Sequence, residues 1–178
     1  MTIEIRNETT AVVDEREFVE LSRFVFEAMH LHPATEMSII FVDEEAMEKL
    51  HVQWLDLPGP TDVMSFPMDE LTPGSPEHPA PEGLLGDVVV CPSVAAKQAA
   101  ESGHSAVEEM LLLTVHSILH LLGYDHMEED ERTVMFDLQR KLLLTFLASR
   151  PSACGAMSQP AQPPGHRAAP NTTRSDPR

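Results

Sequence analysis

The chain has 178 residues, a length that fits one folded core more readily than two. Hydrophobic residues make up 42% of it, but no apolar run reaches about 18 residues, so no membrane-spanning helix is expected. Twenty-nine acids against 12 bases give a formal net charge of −17, which excludes a broadly basic surface for nucleic acid.

The acidity is concentrated upstream. The last 28 residues hold Asp176 against Arg167, Arg174 and Arg178, which leaves residues 1–150 with 28 acids, 9 bases and a net charge of −19. Any contact with RNA therefore needs a local basic patch, a metal ion or a partner protein. Met1-Thr2-Ile3-Glu4-Ile5-Arg6 lacks the features of a secretory signal, and Cys91 and Cys154 make no disulfide framework. Cys91 reads as a buried thiol at a strand end and Cys154 as a free thiol in a tail, and the default location is the cytoplasm.

In chain order, Thr2 to Asn7 alternates apolar and polar residues and reads as a short strand. Asp14 to His30 carries Phe18, Leu21, Phe24, Val25 and Met29 at helical spacing behind an acidic start. Glu36 to Val42 reads as a strand, and Asp43 is placed to cap a helix running through Met47, Leu50 and Trp54. Leu57-Pro58-Gly59-Pro60 breaks that helix, and Thr61 to Phe66 is extended up to Pro67. Residues 68–82 form a loop, Leu84 to Cys91 a strand buried on both faces, and Pro92 opens a helix to about Ser102. Ser105-Ala-Val-Glu108 has capping-box spacing. The helix behind it, from Met110 to Leu122, is apolar around most of its circumference, and Gly123 supplies the left-handed stop. Residues 128–148 form a last amphipathic helix. From Pro151 onward bulky apolar residues nearly vanish, so residues 151–178 are expected to be a disordered tail behind a folded domain of residues 1–150.

The chemistry lies at the end of the central helix. His116 and His120 are four apart, hence on one face, and the turn at Gly123 returns His126 toward them. The spacing H-x3-H-x2-G-x2-H offers three imidazole nitrogens to one ion and leaves a further position for water, the arrangement of a catalytic site. Zinc suits these ligands, although copper, nickel and iron accept them too. Without a metal, two imidazoles on an otherwise apolar helix would each cost on the order of 1–3 kcal/mol to bury unpaired. The metzincin pattern H-E-x-x-H-x-x-G-x-x-H matches in its histidines and glycine, but Ser117 stands where that pattern has its general base. Peptide hydrolysis loses its main assistant. A phosphodiester remains compatible, because a metal ion binds its nonbridging oxygens directly.

Three blocks in order resemble the YbeY family of bacterial metal-dependent endoribonucleases over roughly residues 36–147. They are Pro60-Thr-Asp-Val-Met-Ser-Phe-Pro67, then Gly86-Asp-Val-Val-Val90 with Ala95-Ala-Lys-Gln-Ala99 and Gly103-His-Ser105, then His116-Ser-Ile-Leu-His-Leu-Leu-Gly-Tyr-Asp-His126. The resemblance implies an α+β, zincin-like fold, with about four strands in a small mixed sheet and about five helices around a central buried one. It also implies one zinc ion per chain on His116, His120 and His126, and cleavage of single-stranded RNA rather than DNA. The implied role is rRNA maturation at the 16S 3′ end and ribosome quality control, with ribosomal or assembly-factor proteins as partners. Two positions depart from the family: Ser117 replaces the usual glycine, and Leu55 stands where many members carry a functionally important arginine.

The residues leave two other readings open, a metalloprotease-like amide hydrolase and a ribosome-assembly factor with a structural zinc. They do not identify a catalytic base. Asp62 and Ser65 either face the metal or serve a turn and a strand end. Asp125 either orients a ligand histidine or is a turn residue. Lys97 reads as a solvated helix residue, His104 as structural, and Trp54 as a packing residue.

Overall fold

A computed structural model describes residues 1–150 of the protein. The tail from Pro151, including Cys154, lies outside the described residues. The elements in chain order are β1 (Thr2–Asn7), α1 (Glu15–Ala28), β2 (Glu36–Phe41), α2 (Glu44–Leu55), β3 (Val63–Pro67) and β4 (Leu84–Val90). Then come α3 (Pro92–Ser102), α4 (Ala106–Leu121) and α5 (Glu129–Ser149). The expected α+β architecture is present, with four strands and five helices among the described residues.

Helix ends follow local chemistry. Asp43 caps α2 by accepting from the Ala46 amide at 2.8 Å, and Ser105 caps α4 by accepting from the Glu108 amide at 3.1 Å. Helix α1 ends at Ala28, short of the expected His30, because His30 takes a left-handed conformation with φ 55°. The amides of His30 and Leu31 close on the carbonyls of Glu27 and Phe26, a stop usually signalled by glycine and therefore unmarked in this sequence.

The sheet order is β1-β2-β4-β3. Strands β1, β2 and β4 run parallel, which requires the crossovers that α1 and α2 provide. Strand β3 pairs antiparallel with β4 and forms one edge. In β2, Met37, Ile39 and Phe41 are buried in alternation, and β4 buries Val88, Val89 and Val90 consecutively, as a strand covered on both faces must. One face packs with Phe18, Phe26, Phe41, Leu85 and Ile118 in the main core, between the sheet and α1, α4 and α5. On the other, Met47 of α2 packs with Val42, Met64, Val89 and the buried thiol of Cys91.

Gly86 lets these layers approach. Between Glu36 and Met37 the β2–β4 register slips, so Glu36 pairs with Leu84 and Met37 with Gly86. Gly86 has φ 145°, and a Cβ there would lie 2.2 Å from the Phe66 carbonyl oxygen and 3.1 Å from the Leu121 side chain. The edge strand β3 and helix α4 can both close on β4 only because that side chain is missing.

Helix α4 is the central buried helix, touching α1, α3, α5, β3 and β4. Its first turn holds Glu109, 8% exposed, hydrogen-bonded to His104. Among the described residues no helix is long and apolar enough to cross a membrane.

Candidate metal centre

Helix α4 carries His116 and His120 on one face, with ring centroids 4.6 Å apart. The helix then stops at Leu122, and Gly123 takes φ 96°. The Gly123 amide donates to the His120 carbonyl and the Tyr124 amide to the Leu119 carbonyl, both at 3.0 Å, which is the paired closure of a Schellman motif. This reversal returns His126 to 5.4 Å from His116 and 5.0 Å from His120, centroid to centroid. One ligand nitrogen from each ring lies within 4.8 Å of the others, so the three half-buried imidazoles can converge on a single ion.

The donor set fits such an ion. Burial holds His116 and His120 below the ordinary imidazole pKa, so both rings are neutral near pH 7 with a lone pair to give. For His116 the structure also selects the nitrogen. Oε1 of Gln139 on α5 lies 2.8 Å from its Nδ1. An amide oxygen only accepts, so Nδ1 carries the proton and Nε2 keeps the lone pair. Phe136, one turn earlier on α5, lies over His126 with centroids 6.0 Å apart and planes at 27°. Sequence reasoning singled out neither Gln139 nor Phe136. Their i, i+3 spacing puts them on one face of an amphipathic helix, but nothing in that spacing says what the face meets.

The histidines lie in a groove also lined by Trp54, Leu55, Asp62, Ser65, Phe66, Phe136 and Gln139. Asp62 and Ser65, read as either metal-facing or structural, both reach the groove. Asp62 serves the turn as well, its Oδ1 accepting from the Val63 amide at 2.8 Å and the Thr61 hydroxyl at 3.3 Å. Among the described residues it is the single carboxylate in the lining. Asp125 is a turn residue, its carboxylate accepting from the His126 amide at 2.7 Å. Lys97 pairs with Glu44 at 2.7 Å on a solvated surface, and His104 pairs with Glu109, so neither joins the centre. Ser117 is fully buried with no partner for its hydroxyl among the described residues, and it does not line the groove.

Trp54 departs from the expectation that it packs away. The residue is 60% exposed, lines the groove and stands edge-on to Phe66, with ring centroids 5.7 Å apart. No lysine or arginine lines the groove among the described residues. Nε of Arg132 donates to the His126 carbonyl at 3.4 Å.

Together these features define an α+β protein whose central helix and following turn gather three imidazoles in an open groove, the frame of a metal-dependent hydrolase. The family model described as Endoribonuclease YbeY matches residues 2–147. A protein of Beutenbergia cavernae named Endoribonuclease YbeY is 61% identical over 150 residues, covering 84% of this chain and 100% of its own. One of Paenarthrobacter aurescens with the same name is 59% identical over 147 residues, covering 83% of this chain and 94% of its own. The solution structure of TM1509 from Thermotoga maritima superposes with a TM-score of 0.60 at 25% identity, over 91% of this chain and all of that one. The chain belongs to the endoribonuclease YbeY family, as its three sequence blocks implied.

Proposed function

We propose that this protein is a zinc-dependent endoribonuclease specific for single-stranded RNA, acting in rRNA maturation at the 16S 3′ end and in ribosome quality control. Family membership supports the nuclease activity and its place in rRNA processing. The observation that carries the metal is the convergence of His116, His120 and His126 within 4.8 Å, with one tautomer set by Gln139. These three histidines would hold one zinc ion per chain. Zinc bound there supplies a Lewis acid for phosphoryl oxygens.

The remaining roles fall to side chains of the groove. Gln139 orients His116, and the backbone reversal at Gly123 places His126. Asp62, as the single carboxylate of the lining among the described residues, would accept a proton from the attacking group. Ser117 cannot take that part, being buried outside the groove. The same fact disfavours a metalloprotease, whose base would occupy that position. A structural zinc is disfavoured too, because such sites are closed by four protein ligands and three converge here among the described residues. The hydrolase unit is residues 1–150. Its partners would be ribosomal or assembly-factor proteins in the cytoplasm, for a chain this acidic gains RNA affinity by sharing a surface with them.

The test is metal analysis and cleavage of single-stranded and duplex RNA by the purified chain, with and without chelator. About one zinc per chain is expected, with cleavage confined to single strands and abolished by chelation. The variants His116→Ala and His120→Ala should stay folded by circular dichroism yet lose both zinc and cleavage. Cleavage that persists without metal would overturn the reading.

A further inference from the structure

A nuclease groove that no lysine or arginine lines among the described residues poses a physical question. Side-chain cations usually supply affinity for the phosphate backbone, and here the surrounding 150 residues carry a net charge of −19. The groove offers aromatic surface in their place. Trp54, at the end of α2, is 60% exposed, and its indole is braced edge-on by Phe66 of β3. On the α5 side, Phe136 is 42% exposed and lies over the rings of His126 and His116. Both aromatics line the groove that holds the three histidines. The groove is open to solvent and has a volume of about 950 Å³.

We propose that Trp54 and Phe136 form two stacking platforms for unpaired RNA bases flanking the histidine cluster, and that base stacking rather than phosphate pairing is the chain's own contribution to substrate binding. The proposal rests on the endoribonuclease reading and adds its recognition mode. It supplies a physical reason for single-strand preference. Bases in a duplex are already stacked on their neighbours and offer no free face, whereas unpaired bases can settle on an indole or phenyl ring. Leu55 lines the same groove beside Trp54 and adds to its apolar wall.

The chain contains a single tryptophan, so its fluorescence reports on Trp54 alone. Metal-free protein is titrated with a 2′-O-methyl single-stranded oligonucleotide and with an abasic oligomer of equal length and charge. Saturable quenching by the first and none by the second is expected. The logarithm of affinity should fall with the logarithm of salt with a slope shallower than about −1.5, the equivalent of roughly two phosphate contacts. In the metal-loaded enzyme, Trp54→Leu and Phe136→Leu should each raise KM for single-stranded RNA by about 5- to 100-fold while kcat and zinc content hold. Leu144→Ala, exposed on α5 outside the groove, is the control with unchanged KM.

Trp54 is exposed enough that its variant is not at risk of unfolding, so it decides the matter if Phe136→Leu loses zinc. Equal binding of the abasic oligomer, or an unchanged KM in Trp54→Leu when the parent cleaves RNA, would overturn the stacking proposal and leave the nuclease reading standing. Quenching by an extended peptide but by no oligonucleotide, with no RNA cleavage by the parent, would overturn both.

Discussion

Nδ1 of His116 and Oε1 of Gln139 lie 2.8 Å apart, a bond that joins α4 to α5 across 23 residues of sequence. It fixes the ring tautomer and restrains the imidazole before any ion arrives, which lowers the ordering cost of binding. Gln139→Leu is therefore expected to weaken zinc binding by about 10- to 100-fold, read by competition with a chelator of known affinity. Gln139→Glu, which keeps an acceptor at that place, should retain most of it. Parent-like affinity in Gln139→Leu would show that the bond does not orient the ligand.

The same burial makes the centre sensitive to acid. His116 and His120 both titrate below their unfolded value of 6.5, chiefly because burial disfavours the charged ring. Between the folded values and 6.5 the unfolded chain binds more protons than the native one, so the stability of the metal-free protein rises with pH across that window. It is fully present above about 6.5 and is lost as pH falls through the folded values. Thermal unfolding of the metal-free chain on both sides of the window should show this dependence. It should flatten in a His116→Leu, His120→Leu double variant, which isolates these rings from the carboxylates, and zinc retention should fall in the same acidic direction.

Gly86→Ala tests how tightly β3, β4 and α4 are packed. A methyl group at that position would meet the Phe66 carbonyl at 2.2 Å, in a backbone conformation side chains rarely adopt. Denaturant unfolding should show a loss of about 2–4 kcal/mol, the range of combined strain and overpacking. Zinc binding should weaken with it, because β3 and α4 line the groove together. A loss under 0.5 kcal/mol, on the order of an ordinary surface change, would mean that β3 can shift freely.

Ser117→Ala should move stability the other way. The hydroxyl is fully buried without a partner among the described residues, so it carries a desolvation cost and returns nothing. Its removal should stabilise the protein by about 1 kcal/mol in urea unfolding, with RNA cleavage unchanged because the residue lies outside the groove. Loss of cleavage would place the hydroxyl in the chemistry after all.

Much of this was legible in the amino-acid order. The buried helix with two histidines a turn apart, the glycine that stops it and the third histidine beyond are all local features. They depend on helical periodicity and on the conformational range of one glycine, both of which act within a few residues. The strands from Glu36 and Leu84 were equally plain, because β-branched and aromatic runs bounded by turn residues have one ready reading. The end of α1 was not, for a histidine took the left-handed position that glycine usually advertises. The exposure of Trp54 was missed for a different reason: an aromatic residue looks apolar in sequence whether it meets the core or the solvent.

By itself, then, the sequence determined that three imidazoles would meet and that the protease base would be absent from among them. Only the tertiary structure decided what surrounds them. Gln139 and Phe136 reach the histidines because α5 packs along α4, and Asp62, Trp54 and Phe66 line the groove because β3 returns antiparallel along β4. Those meetings depend on the relative placement of elements tens of residues apart, which is set by how the whole core packs, and no local spacing rule carries that information.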